Sequence, residues 1–370
     1  MKRGMAAIAG LCVATLCLAL GPAYAAHAQE ESAPVEITVL GVGDVLVHRQ
    51  IIDQAKSDAR DGARVDFRPM LEGIAPLVAM SDLAVCHMEY PMGSAGGPWS
   101  AWPDLPNAPP QLAKAMAWLG FDACSTASNH TLDQGFNGVV STIDAIERAG
   151  MVAFGTARTQ EESLAPDIIE VKGVPIALMS YTYGFNGIPL PSGREWCCNR
   201  ISPERIIRDA RHARKAGARI VVVSLHHGVE GQVTPTQGQR DVVEALAKSG
   251  EVDLVLGHHA HVIQPVDKVD GMWVAYGHGN LLSAQSRKDP RSGDGLLTLF
   301  TFVEQEDGTF EVERAVGYAI RNADYPFRLH PVPDRANSGA ADKGTWKRTK
   351  DAVMRLGAND KGFRLLRLAA

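Results

Sequence analysis

Cysteine is scarce in this chain, with 6 among 370 residues, and neither sign of charge dominates, Lys+Arg 37 standing against Asp+Glu 42. So few cysteines over such a length exclude a small disulfide scaffold. The net charge of -5 leaves no excess of Lys and Arg to neutralise a phosphate backbone, which excludes a general nucleic-acid binder. No repeat of fixed period is present, and beyond about Leu20 no apolar run is long enough to span a membrane. What the chain does have is an apolar fraction of 45%, too high for a disordered polymer, and 12 His whose positions carry the chemistry.

Lys2 and Arg3 precede an apolar stretch from Met5 to about Leu20, followed by Pro22 and two small-x-small sites, Ala23-Tyr24-Ala25 and Ala26-His27-Ala28. That order is expected of a signal peptide over residues 1–28, the run being shorter than the ~20 apolar residues that cross hydrocarbon. Neither Cys12 nor Cys17 follows a small residue, so lipoprotein processing is not expected. The protein is expected to be exported and to work in the extracellular space, at the cell surface or in a periplasm. Of the remaining cysteines, Cys86 and Cys124 fall late in neighbouring predicted strands and can pair in an oxidising compartment; buried free thiols are the alternative. Cys197-Cys198 reads as a vicinal disulfide, a metal trap or two loop thiols.

Short apolar runs alternate with longer amphipathic stretches, the pattern of a layered α/β fold with crossover helices. Strands are expected at Glu36–Gly41, Leu83–Met88, Phe121–Thr126, Val152–Phe154, Ile176–Tyr181, Ile220–Leu225, Leu254–Leu256, Met272–Tyr276 and Leu296–Phe302. Helices are expected at Phe67–Met80, Pro110–Leu119, Gly138–Ala149, Pro203–Ala216 and Gln237–Lys248, with prolines at their starts and glycines after their ends. Pro91 to Pro110 reads as a long loop and a candidate lid. After about Arg321 the strand pattern stops. Residues 326–370 form a basic tail with the pattern of an amphipathic helix, which rests either on an anionic surface or on the body of the protein.

The ends of the expected strands share a chemistry. Gly43-Asp44 follows the first, with His48 four residues on, and Glu89 ends the second. Asn129-His130 and Asp133 follow the third; His226-His227 and then His258-His259-Ala260-His261 follow two later ones. A lone histidine at a strand end is ordinarily structural, but five strands delivering carboxylate, amide or imidazole to one edge point to a site, because strand ends and their loops converge there. Two carboxylates, an amide and several imidazoles suit one or two borderline divalent ions, manganese, iron or zinc, whereas structural zinc prefers thiolates and calcium prefers oxygen. Metal-assisted hydrolysis follows as the expected chemistry. Tyr181, Tyr183 and Asn186 either line a cleft beside it or end a strand and turn.

These residues carry a resemblance. Gly43-Asp44, Met88-Glu89, Ser128-Asn129-His130-x-x-Asp133-x-Gly135, Leu225-His226-His227-Gly228-x-Glu230, Gly257-x-His259-Ala260-His261-Val262 and Tyr276-x-x-Gly279-Asn280 resemble the bacterial capsule-synthesis family CapA, over about Ile37 to Ser283. That family is associated with poly-gamma-glutamate synthesis and with the calcineurin-like metallophosphoesterase superfamily. The resemblance implies a four-layer α/β/β/α sandwich of metallophosphoesterase type over residues 29–325. It also implies residue roles. Asp44 and His261 would bind a first metal, Glu89 would bridge, and Asn129, His226 and His259 would bind a second. His130 would stabilise the transition state or protonate the leaving oxygen, oriented by Asp133.

The chain departs from the superfamily pattern at several points. Leu46 stands where an Asp-x-His histidine is usual; His48 would replace it if the intervening turn were helical. The bridging residue is Glu89 in place of Asp, His87 stands for the capsule family's Asn, His227 for Trp, and Gly277-His278 for Ser-Leu. With Glu230 and Asn280, the extra histidines are candidate accessory groups. The implied partners are a phosphoester or an anionic cell-surface polymer, a polymer synthesis or export complex, and a peripheral membrane surface. Two rivals to phosphoester hydrolysis are a non-catalytic polymer-binding component and a metal-dependent amide hydrolase acting on the polymer.

Overall fold

The computed structural model describes residues 33–285 and 288–368; the expected signal peptide over 1–28 lies outside them. The first strand, β1 (Glu36–Val45), is buried along nearly its whole length, a near-continuous apolar run that needs cover on both faces. After it come α1 (Arg49–Asp58), α2 (Arg68–Leu71), α3 (Ala75–Val78), β2 (Leu83–Met88), α4 (Gln111–Leu119), β3 (Ala123–Ser125), α5 (Gly135–Arg148) and β4 (Val152–Phe154). β1 to β4 lie side by side in parallel. A second sheet, ordered β5-β6-β7-β8-β10-β9, is built by α6 (Gln160–Leu164), β5 (Asp167–Val171), β6 (Val174–Thr182), α7 (Pro203–Lys215), β7 (Ile220–His226), α8 (Gln237–Ser249), β8 (Leu254–His258), β9 (Val266–Val269) and β10 (Met272–Ala275). The chain then returns to the first sheet through β11 (Asn280–Leu282), β12 (Asp294–Glu304), β13 (Phe310–Ala323), β14 (Arg328–Pro331), α9 (Ala340–Val353) and β15 (Phe363–Leu366). That sheet runs β14-β13-β12-β1-β2-β3-β4, with β11 on β1 and β15 on β13.

Three apolar layers hold these elements together. Ile51, Met70, Leu77, Leu112 and Ile143 of the first helices pack on Leu40 and Cys86 of the first sheet. Val39 and Val85 face Ile176, Val222 and Leu256 across the gap between the sheets. Ile206, Val243 and Leu246 of α7 and α8 cover Val221 and Val223 on the outer face of the second. The result is a four-layer α/β/β/α sandwich. Helix ends follow local chemistry: Ser202 caps α7 ahead of Pro203, a Thr236/Gln239 capping box starts α8, and α4 stops at left-handed Gly120. No helix among the described residues is long and apolar enough to cross a membrane.

Two expectations need correction. The helix expected over Phe67–Met80 is broken into α2, a 3-10 turn at Glu72–Ile74, and α3, because Pro76 has no N–H to continue the ladder and Gly73 lies against the Leu329 carbonyl. Strand structure does not stop at Arg321: β13 continues to Ala323, and β14 and β15 follow. Within 326–370, α9 docks through Arg348 on Asp294 at 2.6 Å, and β15 joins β13 in parallel. Cys86 and Cys124, paired in register on β2 and β3, form a disulfide, whereas Cys197 and Cys198 are buried thiols with Sγ atoms 2.9 Å apart.

Candidate metal centre

Register delivers the site. In the first sheet Asp44 is paired with His87 of β2 on one side and Asn280 of β11 on the other; in the second, His226 of β7 is paired with His258 of β8. The two C-terminal edges face each other, so residues far apart in sequence meet across the gap. Close backbone approach makes this possible. The Asp44 N–H donates to the Gly279 carbonyl at 2.9 Å, and a Cβ on Gly43 would sit 2.3 Å from that oxygen. Past β8 the chain turns with His259 and His261 both left-handed, at φ 85° and 53°, a conformation that side-chain-bearing residues hold only when the surroundings impose it.

That turn wraps Asp44. One carboxylate oxygen lies 3.2 Å from His258 Nδ1; the other accepts from the His259 N–H at 3.1 Å and lies 3.0 Å from His261 Nδ1. Burial opposes ionisation of Asp44, but the bonds from His258 and His261 prevail and hold its carboxyl well below the usual range. Glu89 is the opposite case. It is 1% exposed, neither oxygen has a hydrogen-bond partner, and the nearest imidazole nitrogens are His261 Nε2 at 3.6 Å and His226 Nε2 at 3.9 Å. Burial pushes the Glu89 carboxyl well above its ordinary value, with Asp44 and Glu230 adding repulsion against the pull of His261. Burial also drives His226 and His87 well below the usual imidazole value and His259 down to about 4. His261, despite burial, is raised to about 9 by Glu89 and Asp44.

Buried carboxylates without donors are rare because the desolvation goes uncompensated. Here the orphan carboxylate is ringed by imidazoles, and ligand atoms of Asp44, His87, Glu89 and His226 all lie within 4.8 Å of one another, as do those of Glu230, His259 and His261. This donor set of nitrogen and oxygen fits a borderline divalent cation.

The structure brings Asp44, Glu89, Asn129, His226, His259 and His261 together, Asn129 through its Oδ1 at 2.8 Å from His226 Nε2. His130 Nδ1 meets Asp133 at 2.6 Å, and the His130 ring stands edge-on to Tyr90 and to the exposed Trp102. Asn280 Oδ1 lies 3.1 Å from His261 Nδ1. His48 is a correction: the chain at His48 is extended, at φ -61° and ψ 163°, so the helical turn needed to bring it beside Asp44 does not form, and its Nδ1 accepts from the Ala284 N–H. His227, one residue past His226, takes the opposite face of the strand end and packs toward α8 near Gly238. The three cleft candidates divide. Tyr183 covers His259 at 4.7 Å between ring centroids and Asn186 accepts from Asn129 at 3.2 Å, while Tyr181 bonds Asp209 on the outer face. Sequence reasoning missed any role for His258 and Tyr90. Each directly adjoins a motif residue, which is the one signal that could have found them.

The bacterial capsule synthesis protein family PGA_cap matches residues 38–285. The chain belongs to that family. The PGA biosynthesis protein CapA of Bacillus subtilis is 24% identical over 279 residues, covering 73% of this chain and 69% of that protein. The capsule biosynthesis protein CapA of Bacillus anthracis is 25% identical over 268 residues, with 69% of this chain and 63% of that protein covered. A probable polyglutamine synthesis accessory protein of Mycobacterium tuberculosis shares 24% identity over 67% of this chain and 75% of its own length. Among solved structures, a calcineurin-like phosphoesterase of Bacillus subtilis is similar with a TM-score of 0.46 and 14% identity, over 87% of this chain and 99% of that one. The NAD nucleotidase of Haemophilus influenzae is similar with a TM-score of 0.44 and 10% identity, over 91% of this chain and 65% of that one.

Proposed function

We propose that this member of the capsule-synthesis family is an exported, metal-dependent phosphoesterase-type hydrolase serving the synthesis of an anionic surface polymer such as poly-gamma-glutamate. The observation that carries the reading is Glu89, a fully buried carboxylate with no donor, set among imidazoles at the shared edge of two sheets. Asp44, Glu89, Asn129, His226, His259 and His261 would hold one or two divalent ions. Bound there, such ions supply the Lewis acidity and the activated water that phosphoester hydrolysis requires. His130 has its Nδ1 tied to Asp133, which presents Nε2 for proton delivery to a departing oxygen. Tyr183, Trp102 and Asn186 wall the approach and orient the substrate. Export rests on the N-terminal pattern of residues 1–28, and N-terminal sequencing of the protein recovered outside the cytoplasm tests it.

The chemical test is turnover of an aryl phosphate by chelator-treated protein before and after addition of manganese, iron or zinc. Metal-dependent hydrolysis supports the reading; the absence of turnover across a broad phosphoester panel with metal bound removes it. Leu46 favours a second reading. It is buried in the helix-side core, so β1 presents one candidate ligand, and His48 does not supply the other. In that reading the pocket grips the polymer within a synthesis or export complex, and polyglutamate binds with no phosphoester turned over.

A further inference from the structure

His87 reaches across the gap between the sheets. Its Nε2 lies 2.9 Å from Nδ1 of His226, its Nδ1 lies 2.8 Å from the Ser125 hydroxyl, and that hydroxyl is also 3.3 Å from the Cys86 carbonyl. At its other nitrogen, His226 Nε2 lies 2.8 Å from Asn129 Oδ1. Asn129 Nδ2 in turn donates to Asn186 Oδ1 at 3.2 Å. With 2.9 Å between His87 Nε2 and His226 Nδ1, one of these nitrogens carries the hydrogen and the other accepts it, and each ring is counted with one hydrogen in all.

Counting those hydrogens leaves two consistent arrangements. In the first, the Ser125 hydroxyl donates to His87 Nδ1, His87 Nε2–H donates to His226 Nδ1, and His226 Nε2–H donates to Asn129 Oδ1. Nothing is unmatched, and His226 has no lone pair to offer. In the second, every bond reverses: the Ser125 hydroxyl turns to the Cys86 carbonyl, His87 Nδ1–H donates to Ser125, and His226 Nδ1–H donates to His87 Nε2. Now His226 Nε2 is a bare lone pair beside Asn129 Oδ1 and the Glu89 carboxylate, three acceptors converging with no hydrogen between them. A cation satisfies all three at once. The three groups hold the same number of protons in both, the one leaving His226 Nε2 to solvent being matched by one returned from solvent, so loading leaves no charged or unpaired group behind.

We propose that His87, backed by Ser125, is a positioning residue that holds His226 in its Nδ1–H tautomer and so presents Nε2 to the cation. This rests on the metal-centre reading above. A ligating histidine generally needs its second nitrogen anchored, and losing the anchor typically weakens metal affinity by about 10–100-fold.

The test uses the full chain and zinc as probe. Calorimetry on His87→Leu should show zinc affinity reduced about 10–100-fold. His87→Gln, whose amide oxygen can accept from His226 Nδ1–H, should recover most of it. Ser125→Ala, with its folding in chelator checked by circular dichroism, should weaken binding by a few-fold. Side-chain NMR of zinc-loaded wild type should show His226 as the Nδ1–H tautomer. Zinc binding unchanged in both His87→Leu and Ser125→Ala, or a zinc-loaded His226 carrying its hydrogen on Nε2, overturns the inference while leaving the metal centre standing. Wild type that binds no more zinc than His226→Ala overturns both.

Discussion

The metal centre and the C-terminal segment 326–370 are both charge clusters in the sequence, and they differ in how the charges are matched. The C-terminal segment is fastened to the body by matched charges. Asp294, 3% exposed, accepts from Arg348 at 2.6 and 2.8 Å and from Thr345 at 2.7 Å; Lys361 pairs with Asp267, and Arg321 with Asp342. At the centre the burial is as deep, yet Glu89 has no donor and imidazoles face other imidazoles. Matched burial fastens an element to the body, whereas unmatched burial leaves free energy that a ligand can recover. The contrast is why the same residue types mean anchoring in one place and binding in the other.

Disturbing each region should separate these roles. The largest effect belongs to the centre. Asp44→Ala should lower metal-stimulated aryl phosphate turnover about 1,000-fold, ~4 kcal/mol of transition-state stabilisation. Unchanged turnover in the purified variant would remove Asp44 from the site. Arg348→Ala should do the reverse. It strands the buried Asp294 carboxylate and should cost about 2 kcal/mol in chemical denaturation, less than a fully buried pair because the Arg348 side chain is 33% exposed, while zinc affinity holds. A drop in metal affinity of the same size would erase the distinction.

Much of this was legible in the sequence, and the legible part has a physical reason. Strands buried on both faces announce themselves as apolar runs, and loops at their ends must hold whatever polar residues form a site, so Asp44, Glu89, Asn129, His226 and His259 could be read without coordinates. What could not be read was lateral register. Nothing local in Val85–Met88 says that His87 sits beside Asp44, or that His226 sits opposite it across two sheets. The half-buried strands β14 and β15 were illegible for a different reason: with four residues each, they are specified by their partner β13 more than by their own pattern. His48 shows the limit of spacing arguments, since four residues place two side chains together only if the chain between them is helical.

Glu89→Gln tests unmatched burial directly. The folded carboxyl is raised above its unfolded value of about 4.5, so in the metal-free protein stability is intact below that pH and falls as pH rises toward the folded value. The amide carries no such penalty. In chelator at pH 8 the variant should be more stable than wild type by about 2 kcal/mol, and equal to it near pH 4. It should also bind zinc more weakly, so the order of stabilities reverses once metal is added. A variant less stable than wild type in chelator at pH 8 would mean that Glu89 is matched after all.

Asp167 supplies the smallest effect and a useful control, because it is a half-buried carboxylate raised by burial that belongs to no ring of imidazoles. It begins β5, the edge strand of the second sheet, and burial, with Glu162 and Glu147 adding repulsion, raises its carboxyl to about 7. The sign is the same as for Glu89. Its stabilising contribution is whole below about 3.8, is lost progressively as pH rises through about 7, and stays lost above that. Asp167→Asn should therefore melt with wild type at pH 3.5 and gain about 1 kcal/mol by pH 8, with zinc affinity identical throughout. If burial alone were enough to make a cation site, wild-type Asp167 would bind zinc and the substitution would lower the measured stoichiometry. An unchanged stoichiometry locates the difference in the surrounding donors: a carboxylate becomes a ligand when the groups facing it can share a cation, and remains a local cost when they cannot.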